Sequence, residues 1–106
     1  MATTADYIEF VCGRISGAGD IRYRKMFGEY MVYVNDKPVL TVCDNTVFVK
    51  IVPELDAVME GADRGFPYEG AREHYVLDIE DTEKARAVIA ILERITPPPK
   101  RRSVKK

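Results

Sequence analysis

Reactive side chains are scarce in this chain of 106 residues. Its only histidine is His74, and its only cysteines are Cys12 and Cys43. No second histidine and no cysteine lies at a metal-ligand spacing from His74, and a Ser–His–Asp or Cys–His site would lack a credible base. Two cysteines are also too few for the disulfide framework of a small secreted domain. The sequence therefore predicts a non-enzymatic protein with no metal, no cofactor and two free thiols.

Long hydrophobic runs are absent as well. No apolar stretch approaches the roughly 20 residues that a membrane-spanning helix needs. The N-terminus has no basic region followed by an apolar core, which a secretory signal would require. We therefore expect a protein of the reducing, bacterial-type cytoplasm, without membrane contact.

Charge is low overall but uneven along the chain. The net charge is −1, with 16 basic and 17 acidic residues. Residues 97–106 hold five of the basic residues and no acidic residue, so the rest of the chain carries 11 basic residues against 17 acidic ones. An acidic body repels a polyanion, so any attraction for nucleic acid would come mostly from this basic tail. The basic residues of the tail are Lys100, Arg101, Arg102, Lys105 and Lys106.

The N-terminal region predicts an amphipathic helix. Asp6 is followed three residues later by Glu9, which is typical of a capping box at a helix start. The glycine-rich stretch 17–19 ends this helix, so it does not fit a phosphate-binding loop, which follows a strand and opens a helix. The apolar residues that recur at helical spacing are Ile8, Val11, Cys12 and Ile15.

A longer amphipathic helix is predicted near the C-terminus, beginning at Asp81 or Thr82. It ends at Thr96, because the three prolines that follow cannot continue a helix. We therefore predict one domain at residues 1–96 and a flexible basic tail at residues 97–106. The apolar stripe of this helix comprises Ala85, Val88, Ile89, Leu92 and Ile95.

Between these helices the sequence predicts a β-meander. Apolar runs at residues 21–26, 29–34, 39–43 and 47–51 are rich in β-branched and aromatic residues. Residues 35–37 and 44–45 separate the last three runs, and their Asn and Asp residues tolerate the positive φ of tight hairpin turns. Such short connections require antiparallel neighbours.

The region after the meander predicts a short helix and two more strands. Pro53 can occupy the first turn of a helix that ends before Gly61. Residues 66–68 predict a short edge strand, because Pro67 cannot donate a hydrogen bond within a sheet. Residues 75–79 predict a further strand. The resulting order, α-β(3–4)-α-β(2)-α, predicts an α+β fold of two layers, with a twisted antiparallel sheet and the first and last helices on one face.

The strands of the meander lack a clear polar side. Tyr30, Val32 and Val34 point to one side of their strand, whereas Met31 and Tyr33 point to the other. A sheet with one face in water alternates more sharply. We therefore predict that the second face is covered by the short helix, by the loop at residues 61–70 or by another protein chain.

The stretch from about residue 24 to residue 50 holds a Met-Phe-Gly-x-Tyr motif followed by further aromatic residues and a closing lysine. These residues are Met26, Phe27, Gly28, Tyr30, Tyr33, Phe48 and Lys50. In them the stretch resembles the N-terminal domain of the TfoX/Sxy family of bacterial competence regulators, and a looser similarity extends over about residues 5–95. The resemblance implies a fold like that of secretion chaperones and a regulatory, protein-contacting role in the transcription of DNA-uptake genes. It implies no catalytic residue.

Two functional hypotheses follow. The first is a protein-interaction domain that binds a partner or its own copy, as a possible homodimer. Its candidate contact surface is formed by Met26, Phe27, Gly28, Tyr30, Tyr33 and Phe48. The alternative is a nucleic-acid-associating module in which cations before the Met-Phe-Gly motif and in the tail contact phosphates. These cations are Arg22, Arg24, Lys25, Lys100, Arg101 and Arg102.

Overall fold

The computed structural model describes residues 3–26 and 29–97. Predictions about Phe27, Gly28 and residues 98–106 lie outside this part of the chain. Its elements, in chain order, are helix α1 (Ala5–Arg14), strands β1 (Ile21–Met26), β2 (Glu29–Val34), β3 (Lys37–Cys43) and β4 (Thr46–Lys50), a 3₁₀ helix (Pro53–Leu55), strands β5 (Arg64–Gly65) and β6 (His74–Leu77), and helix α2 (Thr82–Ile95).

All six strands form one antiparallel sheet in the order β1-β2-β3-β4-β6-β5. This arrangement confirms the predicted α+β fold. The only departure from sequence order is at β5, which pairs with the outer side of β6, whereas β6 pairs with β4. The sheet therefore has β1 and the two-residue β5 at its edges.

The predicted hairpin turns are confirmed. Asn35 and Asp36 have φ values of 54° and 68° between β2 and β3, and Asp44 and Asn45 have φ values of 53° and 54° between β3 and β4. Two consecutive residues with positive φ are the signature of a type I′ turn, which matches the twist of the strands that it joins.

The start of α1 differs from the prediction, while the start of α2 agrees with it. Thr4, rather than Asp6, caps α1, and its hydroxyl oxygen accepts a hydrogen bond from the Tyr7 amide. The predicted helix start at Asp6 was therefore wrong, because the capping residue lies two positions earlier in the chain. At α2, the carboxylate of Asp81 accepts a hydrogen bond from the Lys84 amide.

The middle region needs two corrections. The predicted second helix is only a 3₁₀ turn at residues 53–55, followed by turns through Gly61. The edge strand is β5 at Arg64–Gly65 and not residues 66–68, where Phe66 and Tyr68 are exposed on either side of the buried Pro67. Pro67 has no amide hydrogen to donate, so pairing stops before it.

One face of the sheet, the helix-side face, packs against both helices and the 3₁₀ turn. Along β2 the pattern is strict, since every second side chain from Tyr30 to Val34 is buried. In β3 a bulge opposite Val32 and Tyr33 lets both Val39 and Leu40 be buried. The remaining core is supplied by Ile8, Val11, Ile15, Val42, Val47, Val49, Leu55, Met59, Tyr75, Leu77, Ile79, Ala85, Val88, Ile89 and Leu92.

Gly19 is required by the contact between the α1–β1 loop and the first hairpin. Its φ is 147°, and a Cβ atom there would lie 2.9 Å from both Asn35 Nδ2 and Val34 Cγ1. The Asn35 side chain cannot move away without losing its hydrogen bond from the Asp20 amide, at 2.9 Å. The loop therefore closes only with glycine at this position.

We expect Gly19→Ala to lower the free energy of unfolding by about 2 kcal/mol, because the residue would have both a strained backbone and a steric clash. Chemical denaturation followed by circular dichroism measures this change. Gly13→Ala is the matched control: Gly13 lies within α1, a Cβ there meets no atom within 4 Å, and the substitution should stabilise by up to about 1 kcal/mol. Equal stability of the two variants would contradict the expectation.

Candidate functional site

The second face of the sheet, the open face, packs against neither helix. None of its side chains belongs to the core cluster or to the partly buried apolar side chains that pack against that cluster. The strand registers and the alternation of side chains along each strand place Lys50 and Cys43 on it, together with residues of its middle and edges. The residues of the middle and edges are Arg22, Arg24, Met31, Tyr33, Thr41, Phe48, His74 and Val76.

The centre of the open face is apolar and only partly covered. Met31, Tyr33 and Val76 are half-buried, and Phe48 is 8% exposed because the β6–β5 edge lies against its ring. Of the three predicted covers, the 3₁₀ turn is excluded, since Leu55 faces the main core. The predicted loop at residues 61–70 covers only part of the face, because Gly65 lies against the Phe48 ring while Tyr68 and Gly70 stand at one end.

At that end lies a groove of about 920 Å³. Met31 and Thr41 contribute from the sheet, and Ile51 and Val52 contribute from the segment that leaves β4. The opposite wall is part of the connection between β5 and β6, with the exposed Tyr68 at its rim. The other lining residues are Glu29, Tyr30, Cys43, Lys50, Gly70, Ala71, Arg72, Glu73 and His74.

Basic groups without ion-pair partners line one side of the groove. Lys50 in β4 is paired with His74 in β6, and Arg72 lies two residues before His74, on the segment that leads into β6. Within residues 3–26 and 29–97, neither Lys50 nor Arg72 forms an ion pair. Glu73 is already engaged, since its Oε1 lies 3.8 Å from Nη1 of Arg64.

His74 is held in one orientation at this wall. Its Nδ1–H donates to the Arg72 carbonyl over 2.7 Å, so Nε2 is the unprotonated nitrogen of the neutral ring. Its ring meets the Phe48 ring edge-on, with 6.4 Å between the centroids. Among the described residues, no carboxylate forms a hydrogen bond with His74, and no cluster of His, Cys, Asp and Glu suits a metal ion.

The Cys43 thiol at the end of the groove is held protonated. Burial, followed by the charge of Glu29 and a hydrogen bond with it, raises the pKa of Cys43 to about 12. The carboxylate of Glu29 also lies 3.5 Å from the Thr3 hydroxyl. A protonated thiol is a poor nucleophile. Both thiols are free, as predicted, although Cys12 is half-buried and not fully covered.

A second, smaller depression of about 500 Å³ lies beyond the other end of β6 and is lined mainly by acidic side chains. Asp63, Asp78 and Glu80 line it together with Tyr7 and Lys84. Burial, with the charges of Glu80 and Asp78, raises the pKa of the Tyr7 phenol. The groove thus has two cations without an ion-pair partner among the described residues, Lys50 and Arg72, whereas the second depression is lined by three carboxylates and one lysine.

No protein-family model matches the sequence. In Spirochaeta aurantia, an uncharacterized 12.7 kDa protein in the trpE 5' region is 33% identical to this chain over 107 residues. The alignment covers 99% of this chain and 93% of that protein. The chain belongs to the same family as that protein. Among the described residues, neither helix combines the length and apolarity that crossing a membrane requires.

The predicted contact residues are divided between the two faces of the sheet. Tyr33 and Phe48 lie on the open face. Tyr30 lies on the helix-side face, where it is 8% exposed within the core, so it cannot form one surface with Tyr33. Met26 ends β1, but its side chain, like Phe27 and Gly28, is outside the described structure.

The predicted phosphate contacts are also divided. Arg22 and Arg24 are exposed on the open face, opposite Tyr33 and Met31, while Lys25 is exposed on the other side of β1. Arg22 forms an ion pair with Asp20, with 3.4 Å between Nε and Oδ2. The tail residues Lys100, Arg101 and Arg102 fall outside the described residues.

Sequence reasoning missed most of the groove. Tyr68 was predicted within a strand, Arg72 was not among the candidate residues, and Lys50 was cited only for its match to the family pattern. One signal was present: residues 72, 74 and 76 are alternate positions, so their side chains lie on the same face wherever this segment is extended. Their position opposite Lys50 follows only from the pairing of β4 with β6.

Proposed function

We propose that the chain is a non-enzymatic, regulatory protein-interaction domain of the bacterial cytoplasm, and that its open face binds another polypeptide. The observation that carries the proposal is the apolar centre of this face, which no helix of the described chain covers. Soluble proteins seldom leave a contiguous apolar patch without a partner. Tyr33 and Met31 are suitable anchors, since aromatic and methionine side chains are enriched at interfaces.

The resemblance to the N-terminal domain of TfoX-type competence regulators supports a regulatory role. Tyr33, Phe48 and Lys50 carry part of that resemblance, and all three lie on the open side of the sheet. Tyr30 carries another part of it and is a core residue. The shared pattern thus includes a residue of the helix-side core and residues of the open face, as a family of binding domains would need.

A different polypeptide fits this face better than a second copy. If two copies met through their open faces, the exposed cations Arg22, Arg24, Lys50 and Arg72 of both would enter one interface. Like charges brought together in an interface are costly. We therefore expect a monomer in sedimentation velocity, and a stable homodimer would contradict this choice of partner.

The test uses the full-length chain with a photo-crosslinking amino acid at position 33 and, as a control, at position 10. Phe10 is an exposed aromatic residue of α1, away from the open face. We expect a discrete crosslinked protein from position 33 only. The Met31→Gln substitution should abolish this crosslinked product without changing the circular dichroism spectrum of the chain. The same product from both positions, or no effect of Met31→Gln, would refute the proposal.

Salt dependence separates this proposal from the nucleic-acid alternative. The observation that favours the alternative is the position of Arg22 and Arg24 on the same face as Tyr33. An apolar protein contact should change little with ionic strength. A phosphate-driven complex loses about 0.7–0.9 log units of affinity per contact for each tenfold rise in salt. A steep salt slope with a single-stranded oligonucleotide would favour the alternative.

A further inference from the structure

We infer that the groove at the end of the open face binds an acidic peptide segment that also carries an apolar anchor residue. The inference rests on the proposed function and names the chemistry of the partner. The apolar side chain would lie over Met31 and Thr41. Its neighbouring carboxylates would face Lys50 and Arg72.

The size and lining of the groove fit a side-chain anchor. Its volume of about 920 Å³ exceeds that of a single residue and falls in the range of ordinary ligand pockets. Ile51 and Val52 provide an apolar wall, and the aromatic ring of Tyr68 stands 59% exposed at the rim. An apolar residue in this groove would exclude water from the floor and bury the methionine side chain.

The charges of the groove select an acidic segment. Lys50 and Arg72 have no ion-pair partner within the described chain, whereas Glu73 is held by Arg64. Carboxylates bound to such cations form charge-assisted hydrogen bonds, which are stronger than neutral ones. The rest of the body is acidic, so an acidic segment would be repelled from most other surfaces and directed to this one.

The same residues disfavour nucleic acid in the groove. Glu29 lines it and would repel a phosphate group placed beside it. Among the described residues that line the groove, Tyr68 alone has an exposed aromatic ring, while single-stranded nucleic acid needs several rings on which successive bases stack. A peptide tolerates the mixed charges, because its own side chains can place carboxylates only beside the cations.

The test measures fluorescence anisotropy of three labelled peptides: Asp-Glu-Leu-Phe-Glu-Asp, its amide counterpart with Asn and Gln, and its Lys counterpart. We expect only the acidic peptide to bind the wild-type chain. Lys50→Glu combined with Arg72→Glu should weaken this binding by at least about tenfold and allow the Lys peptide to bind. The control, Arg86→Glu with Arg94→Glu, changes the net charge equally at exposed sites of α2 away from the groove and should have less than a twofold effect.

Equal effects of the two charge-reversed pairs would overturn the inference, as would equal binding of the acidic and amide peptides. Binding of an oligonucleotide that is lost on the Lys50 and Arg72 reversal would overturn it too. Its failure is distinct from that of the proposed function. If crosslinking from position 33 captures a partner but no acidic peptide binds, the open-face interaction remains and only the partner chemistry is wrong.

Discussion

Replacing Tyr30 by alanine is expected to lower the free energy of unfolding by about 3 kcal/mol, because truncation of a buried aromatic side chain leaves a cavity in the core. Tyr30 is 8% exposed, and its ring meets that of Tyr23 edge-on, with 5.5 Å between the centroids. The same substitution at the half-buried Tyr33 should cost only about 1 kcal/mol, since less apolar area is removed from contact. Urea unfolding followed by circular dichroism measures both values.

Two further variants serve as controls. Tyr30→Phe keeps the ring and should cost less than about 1.5 kcal/mol, as volume-conserving changes do. Tyr23→Ala removes the ring that touches Tyr30 while leaving Tyr30 in the core. If Tyr33→Ala proved more destabilising than Tyr30→Ala, the assignment of the two faces would be incorrect, and the open face would not be a free surface.

In the native protein, Cys43 is expected to react with iodoacetamide at least about a hundredfold more slowly than an ordinary cysteine. At about pH 8, roughly one thiol in 10,000 is ionised when its pKa is about 12, whereas roughly one in four is ionised at an ordinary pKa. Burial adds to this protection, because the side chain is 1% exposed. Cys12, which is half-buried, should be modified first. Mass spectrometry of timed digests follows each thiol separately.

Denatured protein provides the control, since both thiols should then react at equal rates. Glu29→Gln is the second control, because it removes a charge that raises the pKa of Cys43 and should speed its alkylation. Rapid native modification of Cys43 would show that its thiol is accessible from the groove. A protonated, covered thiol agrees with a groove that binds a partner without reacting with it.

Local sequence patterns anticipated the elements whose stability is local. Asn and Asp at the hairpin tips adopt the positive φ that the β2–β3 and β3–β4 turns require. The α2 stripe was predicted because helical spacing alone defines which side is buried. Each of these features depends on residues within a few positions of one another, so a single sequence is enough to reveal them.

The start of α1 shows why other features escaped prediction. Asp6 and Glu9 form a good local capping pattern, but Thr4 is held by the second hairpin. The Thr4 amide donates to Asn45 Oδ1 over 3.1 Å, and the Asn45 amide donates to the Thr3 hydroxyl over 3.3 Å. A helix boundary fixed by residues about 40 positions away cannot be inferred from local propensity.

The edge strand was misplaced for a related reason. Gly65 pairs with His74 and lies against the Phe48 ring, where a Cβ atom would approach Cε1 to 3.3 Å. The absence of a side chain at this position lets the edge close over the ring. The sequence showed a glycine before Phe66 but gave no sign that an aromatic residue from another strand would need the space.

The sequence by itself determined the α+β order, the hairpins, the amphipathic helices and the acidic balance of the body, because periodicity, turn chemistry and charge are properties of neighbouring residues. Only the tertiary structure decided which aromatic residues are core and which are surface, and it alone created the groove. The reason is the pairing of β4 with β6. That contact brings Lys50 and Ile51 beside Arg72 and His74, across more than 20 residues of chain.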